Sequence, residues 1–260
     1  MRTSIIGLSA VSLLAFATPA FADDAAPAAA APTPEWKVTG SAALVSDYRF
    51  RGISQNGQDF AAQAGITLNH SSGFYVGTWG SSINFAGHTE VDLFAGYTAP
   101  LSKTLTIDAG VLYYLYPKHK SVTGDIATDY FEPYINLTET VGPLAVKVGV
   151  NYGWKQDALA LTTCDEESEA CTTVDKDEIY FHIDPSVTIP MSPIGLNAHL
   201  GYAVSEAPFL LGKNHMLDYS FGATAAWKNL TLGVSYVGTD MDGSPRGYDG
   251  GVVFSLTAAF

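Results

Sequence analysis

The sequence has few charges, only two cysteines and, beyond its first residues, no apolar run long enough to cross a bilayer as a helix. Charged residues make up 15% of the 260 residues, against about a quarter in an average soluble chain. Two cysteines, Cys164 and Cys171, exclude a disulfide-rich scaffold, and no further Cys or His lies at zinc-like spacing from them. Basic residues are scarce: 13 Lys and Arg stand against 26 Asp and Glu, a formal charge of −13. That balance argues against a nucleic-acid partner. There is no Gly-x-Ser-x-Gly elbow, no His-Glu-x-x-His and no phosphate loop. A barrel enzyme acting on lipids would need a Ser/His pair assembled across strands, and no local pattern supplies one. The chain is therefore expected to be no enzyme, and to use no cofactor and no metal.

Hydrophobic residues are nevertheless 47% of the chain and aromatics 12%. A chain rich in aromatics, low in charge and without a spanning helix is expected to cross a membrane with strands. Its N-terminus points to export. Arg2, the apolar stretch 5–16 and Ala20-Phe21-Ala22 have the layout of a secretory signal peptide, residues 1–22. Residues 23–35, almost all Ala, Pro and Asp, read as a flexible leader, and 36–260 as one barrel.

Within that region, twelve runs alternate with period two, the pattern of strands wetted on one face and greased on the other. The first is read as a single strand over 36–51, with Tyr48 and Phe50 on the apolar face and Asp47, Arg49 and Arg51 on the polar one. The facing of the third run, 74–82, is ambiguous because it is rich in Gly and Ser. Connections alternate short and long. Lys228-Asn229 joins two runs directly, whereas residues 156–177 are read as the longest loop. Short periplasmic turns and long outer loops, with both termini periplasmic, are what an outer-membrane β-barrel of about twelve strands produces. Aromatics near strand ends, Trp36, Tyr48, Phe50, Tyr97, Trp154, Trp227 and Phe260, are read as its girdles. The terminal Phe260 resembles the signal by which bacterial barrels are handed to their insertion machinery.

The run VSDYRFRGISQ (residues 45–55), with GFYVGTWGSS, EVDLFAGYT, GVLYYLYP and DYFEPYINL following in order, resembles the TorF-type porin-like family of proteobacterial outer-membrane proteins. The resemblance covers most of the first half of the chain. It implies a barrel and a pore, and brings no substrate and no catalytic residues.

Candidate lumen residues follow from the polar faces: Asp47, Arg49, Arg51, Glu90, Asp92, Asp108, Glu132, Lys147, Lys155, His182 and His199. Asp47, Arg49 and Arg51 fit a charged constriction that selects solutes, and equally an ion-pair network with Asp92, Asp108 or Glu132 that props the barrel. The histidines are read as lumen-lining neighbours on adjacent strands. Cys164 and Cys171 are expected to form a disulfide in an oxidising compartment. The expected function is passive diffusion of small solutes across the outer membrane of a Gram-negative bacterium. A substrate-specific channel and a closed barrel whose outer loops bind a partner are the alternatives.

Overall fold

A computed structural model describes residues 35–84, 87–117, 128–164, 171–205, 214–241 and 247–260; the side chains of 161–164 and of Cys171 lie outside the description. The expected signal peptide and most of the leader lie outside the described residues too. No helix occurs among those described.

Twelve strands close into one antiparallel barrel: β1 (Trp36–Val45), β4 (Ala61–His70), β5 (Phe74–Ser82), β6 (Thr89–Pro100), β7 (Leu105–Leu115), β8 (Tyr130–Val141), β9 (Leu144–Cys164), β10 (Cys171–Thr188), β11 (Ile194–Ser205), β12 (His215–Trp227), β13 (Leu230–Thr239) and β14 (Gly251–Ala259). Each strand pairs with its chain neighbour, and β1 closes the ring on β14 with Leu44 opposite Leu256. Phe260 and Gly40 exchange two main-chain hydrogen bonds of 2.9 Å, so both ends of the barrel sequence meet at the end that carries the short turns.

Alternation decides the two faces. On β14, Val252, Phe254 and Leu256 point out and are 45–59% exposed, while Val253, Ser255 and Thr257 point in. On β5, Phe74 and Val76 are exposed and Trp79 and Ser81 are buried, which fixes the facing that the sequence left ambiguous. Large apolar side chains stand exposed on this outer face all round the barrel. A belt of that extent suits hydrocarbon rather than water. Trp36, Tyr97, Trp154, Trp227 and Phe260 belong to it.

Two stretches differ from the sequence expectation. The first strand stops at Val45 instead of running to residue 51. The chain then bends inward and forms a separate two-stranded hairpin, β2 (Arg49–Phe50) and β3 (Ile53–Ser54). Tyr48 and Phe50 are 6% and 1% exposed, so they are interior residues and not part of a girdle. The second is the stretch 156–177. Most of it extends β9 and β10, and only 165–170 falls between the two strands. The pairing register shifts between Val174 and Glu178, where β9 bulges and turns Ala158 and Leu159 inward to full burial.

Candidate functional site

The lumen is divided lengthwise into two unlike halves. On β5 to β8 the inward positions carry Tyr75, Trp79, Phe94, Leu112, Tyr114, Tyr130 and Tyr134. These side chains fill their side of the barrel. Inward glycines of neighbouring strands make room for them: a methyl on Gly77 would overlap the Phe94 ring, and one on Gly96 the Tyr75 ring. Tyr75 also donates to Asp108 at 2.6 Å and bonds the Tyr134 hydroxyl. The opposite half, from β10 through β14 to β1 and β4, is lined by small and polar residues such as Ser41, Ala43, Gln63, Asn197, Ser220, Ser235, Val253 and Thr257. It encloses a cavity of about 350 Å³. A ring of twelve strands is wider than an eight-stranded barrel that its own side chains fill, so leaving one half lined by small residues leaves a space.

The hairpin enters this lumen from the end with the long connections. Its tip turns on Arg51 (φ 43°) and Gly52 (φ 82°). Positive φ at both central residues is what a type I′ two-residue hairpin turn requires, and it is costly for an arginine. Gly52 is needed twice over, because a Cβ there would also lie 2.5 Å from the carbonyl oxygen of Gly238 on β13.

The hairpin touches the wall in three directions. Toward β5 and β6, Tyr48 packs on Trp79 (ring centroids 5.5 Å apart) and donates to Glu90 at 3.3 Å. Toward β13 and β14, Arg49 is held by Asp47 (2.6 Å) and donates to the carbonyls of Gly52 (2.9 Å) and Asp249 (2.7 Å). Toward β8 and β10, Arg51 donates to Glu132 at 2.6 Å, pairs with Glu178, and lies 3.9 Å over the ring of Tyr180. Glu132 also accepts from Tyr114 and Asn151, both at 3.0 Å. Arg51 and its two carboxylates are almost fully buried, where a charge is tolerable only when paired.

A second network continues along the wall. Tyr180 donates to Asp218 (3.0 Å) and bonds His199 (2.9 Å). His199 bridges Asp218 (2.9 Å) and Asp184 (2.5 Å). Asp184 also takes His182 at 2.7 Å and Lys147 at 3.3 Å. The two histidine rings lie 6.2 Å apart, each engaged by a carboxylate.

The residues picked from the sequence thus fall as follows. Asp47, Arg49, Arg51, Glu90, Asp92 and Glu132 gather around the hairpin, and Lys147, His182 and His199 around Asp184. Asp108 sits deeper, under Tyr75. Lys155 does not join them; it is exposed beside the β9 bulge, which breaks the alternation that would have pointed it inward. Cys164 and Cys171 stand directly opposite each other in the β9–β10 register. Sequence reasoning missed Glu178, Asp184, Asp218 and Tyr180 as site residues. Their signal was present, since each sits an even number of positions from an inward residue already chosen or from one facing it. Among the described residues no cluster of His, Cys, Asp and Glu has the arrangement of a metal site.

The fold has counterparts among solved structures. The NanC porin is 12% identical, with 86% of this chain and 99% of that chain covered and a TM-score of 0.55. The KdgM porin in complex with disordered oligogalacturonate is 10% identical, with 86% and 98% covered and a TM-score of 0.51. An outer membrane channel from Pseudomonas putida F1 is 10% identical, with 91% and 99% covered and a TM-score of 0.50. At such identities the likeness is one of fold. Among curated proteins none matches. Residues 29–260 match the bacterial family of unknown function Gcw_chp, and the chain belongs to that family.

Proposed function

We propose that the protein is an outer-membrane channel through which small solutes diffuse, and that its lumen favours cations. One observation carries the reading: a closed barrel with an apolar exterior keeps one half of its interior lined by small, polar side chains around a cavity. A barrel that served only as a scaffold has no need of an unfilled half. The polarity of the passage follows from its charges. Among the described residues, Asp47, Asp184 and Asp218 line the cavity with Arg49, Arg51 and His199, and Glu90, Asp92, Asp108, Glu132 and Glu178 stand on the walls beyond it with Lys147 and His182. Carboxylates in that excess attract cations and repel anions. A lumen of this sign does not suit a polyanion such as the oligogalacturonate named with one of the structural neighbours.

The outer membrane is the location that fits the apolar belt, the short turns gathered at one end and the export signal read from residues 1–22. In that setting both termini lie in the periplasm, and the strand ending in Phe260 is the segment presented to the insertion machinery. The narrower TorF-type likeness rests on VSDYRFRGISQ, most of which forms the hairpin, and on GFYVGTWGSS, EVDLFAGYT, GVLYYLYP and DYFEPYINL after it. A closed barrel is the second reading, favoured by that hairpin in the lumen.

The test is electrical. Purified protein in a planar bilayer is expected to give discrete conductance steps that persist with potassium chloride as the only solute. A folded barrel that never conducts, in wild-type form or with the hairpin replaced, would sink the channel reading.

A further inference from the structure

Among the described residues, the hairpin lies across the lumen rather than around it. We propose that it is a gate closing the long-loop end of the barrel, latched by Arg51 between Glu132 and Glu178; the proposal rests on the channel reading above.

Three features carry it. The first is reach. In the closed ring β9 stands six places from β1, diametrically opposite it, and Arg51 is gripped by β8 and β10, the two strands that flank β9. A segment rooted between β1 and β4 therefore spans the whole bore.

The second is independence. β2 and β3 pair only with each other, as a sheet separate from the barrel. Their main-chain ties outside the hairpin run to neighbouring connections: the Ser54 amide donates to Gly247 (2.9 Å), and the Asn84 amide to Gln55 (3.1 Å). The hairpin can swing away without breaking a single rung of the barrel ladder, so its motion costs only the contacts that hold it.

The third is that the charged grip on the far wall is concentrated in one side chain. Arg51 keeps an unfavourable left-handed backbone while its guanidinium is clamped by two carboxylates and stacked on Tyr180. Strain of this kind persists only where the surroundings over-determine it. Without the positive charge, Glu132 and Glu178 face each other with no countercharge and the turn loses its reason to stay. Phe50 of the hairpin belongs to one buried apolar cluster with Tyr116, Leu159, Met216 and Met241, which seals it in the latched state.

Two variants and the parent test this in planar bilayers. Arg51→Gln keeps most of the side-chain length and removes the charge. In the second, residues 46–60 are replaced by a short Gly/Ser turn joining β1 to β4, and heat-modifiable electrophoretic migration checks that the barrel has formed. The parent is expected to open rarely, Arg51→Gln several-fold more often, and the replaced barrel to stay open at a larger step conductance. Equal conductance and open time for the parent and a properly folded replaced barrel would overturn the gate and leave the channel standing. No current from either would remove both. If Arg51→Gln fails to fold, the replaced barrel decides alone.

Discussion

The two halves of the lumen are built from the same strand geometry and reach opposite outcomes. On β5 to β8 the inward positions hold tyrosines, Trp79 and Phe94, seated over glycines of the next strand. On β11 to β14 and β1 they hold mostly serine, threonine, alanine and valine, with Asn197, His199 and Asp218. In the first half, packing and hydroxyl hydrogen bonds use up the space, so that side behaves like the core of a soluble domain. In the second, the smaller side chains leave a cavity that the hairpin borders with Asp47, Tyr48, Arg49 and Arg51. The barrel is thus half packed core and half open lumen, and the proposed passage runs through the open half.

That division can be broken from either side. The largest effect is expected from filling the open half. Ser235→Trp combined with Thr257→Trp, made in the hairpin-replaced barrel, should cut single-channel conductance by about ten-fold, because both residues line the cavity of about 350 Å³ and two indole rings would fill much of it. Emptying the filled half should act on stability instead. Phe94 is buried at 7% exposure, and Phe94→Ala should cost roughly 3 kcal/mol in denaturant unfolding while leaving ion selectivity unchanged. A selectivity change there would mean that the path runs through the wrong half.

A smaller effect is expected at the wall of the open half. Asp218→Asn removes one carboxylate that lines the cavity and accepts from Tyr180 and His199, and should lower the cation-to-anion permeability ratio by about two-fold. The smallest concerns the extended β9–β10 hairpin. Cys164 and Cys171 face each other in the register, and peptide mass mapping is expected to find them bridged. Reducing that bridge should leave conductance as it was, since the bridge lies beyond the bulge at which the strands leave the barrel.

Much of this was legible in the sequence, because lipid outside and water inside impose alternation on every strand that crosses. The hairpin was not legible for the same reason. Asp47-Tyr48-Arg49-Phe50-Arg51 continues the alternation of β1, so it reads equally well as the end of a strand with aromatics in lipid. Only the long-range contacts of Tyr48 with Trp79 and of Arg51 with Glu132 and Glu178 decide for the interior. The turn chemistry of Gly52 and Gly57 was the available hint. The 156–177 stretch misled in the opposite sense. Its many carboxylates suggest a loop, yet a strand pair that has left the membrane is wetted on both faces and can carry charge on each. Glu178 and Asp218 were overlooked because alternation gives a residue's face and not its partners in the lumen, Arg51 and Tyr180, and Lys155 was misplaced because a bulge erases the period locally.

The central claim is a passage through the open half of the lumen, past Asp47, Asp184 and Asp218. The reversal potential of the openings of the wild-type protein, across a steep potassium chloride gradient, tests it most directly. Our account predicts a potential whose sign marks potassium as the more permeant ion, with its magnitude reduced by Asp218→Asn. A potential of the opposite sign, marking chloride as the more permeant ion, would contradict it.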